Sequence, residues 1–152
     1  MAQLTAPGMS LFPASTNDSY RGMKAAAWAL TVIAAATIIP ALLHIGLPDG
    51  GAGVIAGLDL SGDKRTIVSL FAWAGTTQFV WGLMLLAVSL RYRSLVPLAL
   101  GLLALERALH TWNMWGPKGG HLAGGHHPPE VWVTLGSVPV LLVLLAMSLR
   151  RA

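Results

Sequence analysis

KAAAWALTVIAAATIIPALLHIG, residues 24–46, contains no Asp, Glu, Lys or Arg after its first residue. A helix rising 1.5 Å per residue needs roughly 20 apolar residues to cross a hydrocarbon core of about 30 Å, and this run supplies them. Arg21 and Lys24 precede it and Ala34-Ala35-Ala36 lies inside it, so a signal peptide is the first alternative. The apolar region of a cleaved signal ends after about 7–15 residues. Here it continues through Ile38, Ile39, Leu42 and Leu43. The stretch therefore predicts an uncleaved membrane-spanning helix, because backbone polar groups in lipid must be paired within their own segment.

Three further runs of similar length follow, at about 66–90, 94–115 and 131–149. The resulting expectation is an all-α fold, a four-helix transmembrane bundle over residues 24–149 behind a polar N-terminal tail, residues 1–23. Composition agrees. The 152 residues are 55% hydrophobic and 11% charged, with no cysteine. A soluble domain averages roughly 25% charged. Without cysteine, disulfides, iron–sulfur clusters, thiolate zinc sites and cysteine nucleophiles are excluded. The formal charge of +4 does not imply nucleic acid, since the basic residues flank apolar runs and build no basic face or nucleic-acid motif.

Those flanking charges predict orientation. Arg21 and Lys24 precede the first run, Arg91 and Arg93 join the second to the third, and Arg150 and Arg151 end the chain. The opposite side has Lys64, Arg65 and Lys118, diluted by Asp49, Asp59, Asp63 and Glu130. Both termini are therefore expected in the cytoplasm and both longer loops outside, with Trp112, Trp115 and Trp132 as an outer aromatic belt and Trp28 at the inner boundary. Gly75, Gln78, Gly82 and Ser89 share one stripe of the second helix, a small-residue face that permits close helix approach. Pro40 and Pro139 fall inside helices one and four.

The third run carries the chemistry: LALERALHTWNMW, residues 103–115. Glu106, His110 and Asn113 stand at i, i+4 and i+7, on one helical face. An ionisable residue near the bilayer midplane costs about 2.5–3.5 kcal/mol on insertion scales, so Glu106 is expected to face protein and find a partner. His110 on the same helix and Gln78 on the second are the candidates. Arg107 is adjacent in sequence, but neighbouring helical side chains point apart, so the two charges are expected to turn to different partners. His44, near the outer end of the first helix, comes close in depth to His110. The loop HLAGGHHPPE, residues 121–130, adds His121, His126, His127 and Glu130 at the same mouth.

Three readings compete for this group. A metal ion requires imidazoles and carboxylates within about 2.0–2.2 Å, drawn from His44, His110, His121, His126, His127 and Glu130. Haem held by His44 and His110 requires facing rings and room for the macrocycle. The third is a hydrogen-bonded polar core under a hydrated loop. Pro128-Pro129 before Glu130 also suits a helix start, where an acid favours the dipole. No nucleophile constellation, phosphate loop or dinucleotide motif is present.

Residues 76–115, TTQFVWGLMLLAVSLRYRSLVPLALGLLALERALHTWNMW, followed by GGHHPPE at 124–130, resemble uncharacterised small bacterial four-helix inner-membrane proteins of DoxX-like type. The resemblance is carried by Gln78 with Gly82, Arg91-Tyr92-Arg93, Glu106-Arg107 and His126-His127-Pro128-Pro129-Glu130. It implies a multi-pass bundle in a bacterial inner membrane and no particular activity. The function expected from the residues is a membrane protein whose Glu106, Arg107, His110, Asn113, Gln78 and His44 bind a small ligand, a lipid head group or a metal ion. A non-catalytic accessory subunit, packed against other membrane subunits or a second copy of itself, is the alternative. A metal-dependent membrane enzyme is a third.

Overall fold

The structure, a computed structural model, describes residues 20–116, 118 and 128–150. His121, His126 and His127 lie outside the described residues, as does most of the N-terminal tail. Among the described residues four helices form: α1 Lys24–Gly46, α2 Lys64–Leu90, α3 Val96–Trp115 and α4 Pro129–Leu149, with a 3₁₀ turn, Arg93–Leu95, leading into α3. The starts of α2 and α4 are chemically specified. Asp63 caps α2 by accepting from the Thr66 N–H at 3.3 Å. Pro129 opens α4 with Glu130 in its first turn, the start expected from the sequence, because proline lacks only an N–H that a first turn would leave unpaired.

Among the described residues three helices, α1, α2 and α4, are long and apolar enough to cross a membrane. The fourth expected span, α3, has 20 residues but is not among them. Its first half is apolar, whereas Glu106, Arg107, His110 and Asn113 occupy its second half. Large apolar side chains face outward on every helix, among them Val32 and Ile39 on α1, Leu70 and Val80 on α2, Leu102 and Leu109 on α3, and Leu142 and Val143 on α4. Such a surface is consistent with a multi-pass protein embedded in lipid.

The helices pair as two hairpins, α1 along α2 and α3 along α4, with slighter contact between the pairs. Within the first hairpin the predicted small-residue stripe does its work. A methyl group on Gly82 would stand 2.6 Å from Ile38 Cγ1, and one on Gly75 would stand 2.5 Å from His44 Cβ. Only glycine lets the two backbones come this close, and in lipid such packing, not water exclusion, holds helices together.

The hairpins meet at one end. The start of α1, the end of α2, the start of α3 and the end of α4 share a buried cluster of Ala26, Ala27, Leu30, Ala34, Leu85, Val88, Val96, Ala99, Leu100, Leu103, Ala104 and Leu141. Arg21, Lys24, Arg91, Arg93 and Arg150 rim that end, the basic end. Toward the opposite, loop end, buried positions thin out. On α3 none is buried beyond Ala104.

Candidate functional site

Arg107 lies where the shared core stops. Val96, Leu100 and Leu103 trace the buried stripe of α3 at spacings of four and three, and Arg107 is the next position on it. Its side chain is only 16% exposed, against 44% for Glu106 and 51% for Glu130. Arg107 Nε stands 3.1 Å from Glu106 Oε2, and Nη1 stands 3.8 Å from Glu130 Oε1 on α4. One guanidinium thus serves two carboxylates from two helices.

This arrangement corrects the expectation that Glu106 and Arg107 turn to different neighbours. About 100° of helix separates adjacent side chains, but the flexible arginine stem crosses that angle, and away from water an unpaired charge costs more than the bend. Glu106 has no hydrogen bond to either expected partner, His110 or Gln78, among the described residues. Gln78 sits on the stripe between Gly75 and Gly82, the face by which α2 packs against α1. Asn113 donates its side-chain N–H to the Leu109 carbonyl at 3.0 Å, a bond within its own helix. His110 is half-buried one turn beyond Glu106, without a polar partner among the described residues. Thr111 Oγ1, one turn beyond Arg107, is buried and likewise unpartnered.

His44 is committed to the first hairpin. Its Nδ1 lies 2.6 Å from the Gly50 carbonyl, and its ring meets Phe71 edge-on with centroids 5.4 Å apart. A carbonyl can only accept, so Nδ1 donates its proton to Gly50. No hydrogen bond or ring contact joins His44 to His110, and no three histidines or carboxylates gather around one point among the described residues. His44, His110 and Glu130 therefore do not form a metal-binding group by themselves.

The acids of the first loop are also engaged locally and do not join the cluster. Asp49 accepts from the N–H groups of Gly51, Gly53 and Val54 at 2.8, 3.0 and 2.9 Å. These bonds, Val54 foremost and then Gly51, hold its carboxyl below the usual carboxylate range. Gly50 and Gly51, with φ of 62° and 77°, supply the left-handed backbone that turns those amides inward. Asp59 accepts from the Ser61 N–H and hydroxyl at 2.9 and 2.8 Å, which lowers its pKa as well. An Asp followed by a glycine-rich stretch, DGGAGV at 49–54, was the available signal for the first of these.

At the loop end Trp115 and Trp132 meet edge-on at 4.7 Å, and Trp112 is exposed. At the basic end, Arg93 lies over the ring of Trp28. Comparison with protein families, with curated proteins and with solved structures finds no match, so nothing there anchors the resemblance to DoxX-like proteins.

Proposed function

We propose that this chain is a four-span membrane protein whose Glu106–Arg107–Glu130 cluster binds a ligand bearing an ammonium group, either a lipid head group or a free amine. The observation that carries this reading is the imbalance of the cluster. A single, mostly enclosed arginine is set against two carboxylates that each keep about half their surface open, 44% and 51%. The excess charge is negative and faces outward, so it favours a cation. His110, one turn away with an unused ring nitrogen, adds an acceptor in its neutral form. A compact metal ion finds no third donor beside these among the described residues, whereas an ammonium group needs only diffuse negative charge and acceptors.

In this reading α3 crosses the bilayer with its partners: its polar half is tolerated because Arg107 is neutralised from α4. The basic end faces the cytoplasm and the loop end the exterior, following the positive-inside rule. A bacterial inner membrane is the expected location, on the resemblance noted above. Cysteines at Ser61 and Tyr92 test the orientation. An impermeant thiol reagent added to intact cells should label the first and spare the second, and the reverse pattern would refute it.

The ligand assignment is tested by calorimetric titration of detergent-solubilised protein with lysophosphatidylethanolamine and, separately, ethanolamine. Binding should weaken about tenfold in Glu106→Gln/Glu130→Gln, the loss of one or two charge-assisted contacts. A preference for the lyso-lipid assigns a head group, and equal affinity assigns a free amine. Unchanged binding in the double variant would overturn the reading.

One observation favours the accessory-subunit alternative. Glu106 lies about 13 Å from the end of α3, at hydrocarbon depth, yet remains 44% exposed. Another membrane subunit, or a second copy of this chain, would cover it. Cross-linking of Leu109→Cys, on the exposed side of α3, distinguishes that case.

A further inference from the structure

The basic end has a feature that topology alone does not require. Arg93 is held in place at two points. Its Nε donates to the Ser89 carbonyl at 3.0 Å, and its guanidinium carbon lies 5.3 Å from the centre of the Trp28 ring. A cation over an indole face is attracted by the ring quadrupole, and the guanidinium plane is thereby oriented. The two terminal nitrogens have no partner among the described residues. Tyr20 lies close enough for the Arg93 charge to oppose the burial that raises its phenol pKa. Lys24, one helical turn before Trp28, and Arg91, two residues before Arg93, are exposed.

The helix ends at this level add a second, independent observation. A helix N-terminus carries positive dipole charge and is normally flanked by acids. Both helices that begin here, α1 and α3, lack an acidic residue in the first turn, and α1 instead begins with Lys24. The acids among the described residues are Asp49, Asp59, Asp63, Glu106 and Glu130, and none lies at this end. Lys24, Arg91 and Arg93 thus have no acid opposite them among the described residues, and Arg93 is pre-organised for forked contact with two oxygens.

We propose that the basic end is a binding site for the phosphate of an anionic phospholipid, gripped by Arg93 with Lys24 and Arg91 at its flanks. The lipid is the occupant favoured here because Trp28, 55% exposed, presents an amphipathic ring at the same level, where lipid head groups meet acyl chains. The inference is independent of the ammonium site at the other end of α3.

Native mass spectrometry of the detergent-solubilised protein tests it, with phosphatidylglycerol, phosphatidylcholine and inorganic phosphate as probes. Phosphatidylglycerol should bind about tenfold more tightly than phosphatidylcholine, the effect of one or two cations at a lipid surface. Arg93→Gln should remove most of that preference, and Arg93→Lys should restore part of it, since lysine keeps the charge but loses the fork. Should Arg93→Gln fail to fold, Lys24→Gln/Arg91→Gln leaves the Ser89 and Trp28 contacts intact and should still lower phosphatidylglycerol affinity about threefold. Equal binding of the two lipids, or wild-type affinity in any folded variant, overturns the proposal. Displacement of the lipid by an equal concentration of inorganic phosphate would overturn it too, assigning the site to a soluble anion.

Discussion

The two ends of the bundle solve the same packing problem differently. At the basic end all four helices contribute to one core, where Leu30, Leu85 and Leu100 are fully enclosed. At the loop end the hairpins keep mainly to themselves: α1 and α2 are pulled together by Gly75 and Gly82, and α3 and α4 are joined by the Arg107–Glu130 pair and the Trp115–Trp132 contact. Apolar side chains close the first region, and the serines buried among them, Ser89 and Ser148, bond to carbonyls of their own helices. The second has charge at its centre, and a charge in a low-dielectric setting must be paired before it can be packed. The shared apolar core is thus concentrated at one end, and the Glu106–Arg107–Glu130 charges lie beyond it.

The comparison is tested most severely by leucine truncation. Leu100→Ala leaves a cavity at the shared core and should cost about 2–4 kcal/mol, whereas Leu109→Ala, on the exposed face of α3, should cost less than about 0.5 kcal/mol. Unfolding of both variants in one detergent measures the difference. Equal losses would mean that the loop end is as closely packed as the basic end.

Arg107→Gln comes next. It leaves Glu106 and Glu130 without their shared cation, and the expected loss is about 1–2 kcal/mol, between values for surface and buried pairs. A double-mutant cycle with Glu130→Gln should return a coupling energy of the same sign. Additive losses would show that the two helices are not joined through this pair. Glu106→Leu should likewise disturb ligand binding or assembly more than Asp59→Asn, whose carboxylate serves only Ser61.

The smallest effect is confined to the first loop. Asp49 has a folded pKa below its unfolded value. Its stabilisation is therefore complete above the ordinary carboxylate pKa and is lost as pH falls through the depressed folded value. Hydrogen exchange at Gly51, Gly53 and Val54 should accelerate over that acidic window, relative to the intrinsic rate, and Asp49→Asn should abolish the transition. Protection that stays constant through it would mean that the carboxylate does not hold the turn.

Much of this architecture could be read directly. The run from Lys24 to Gly46 specifies its helix because only internal hydrogen bonding satisfies a backbone in lipid, and the glycine stripe of α2 marks where α1 approaches. The polar residues were legible as a set but not as partners. Glu106 and His110 share a face by spacing, yet the carboxylate goes to Arg107, because side-chain reach and local dielectric, which helical periodicity does not encode, select the partner. His44 looked like a ligand for the mouth of the bundle, and its Nδ1 instead closes the turn at Gly50.

Hydropathy and spacing are properties of single segments, so the sequence by itself determined the four helices, their approximate extents, the start of the fourth at Pro128-Pro129, and the segregation of positive charge to the helix ends and turn at one side. The meeting of segments depends on three-dimensional contact. The tertiary structure therefore decided that the helices pair as hairpins, that the shared core ends at Leu103 and Ala104, and that Arg107, the next residue on the buried stripe, is shared between carboxylates of α3 and α4.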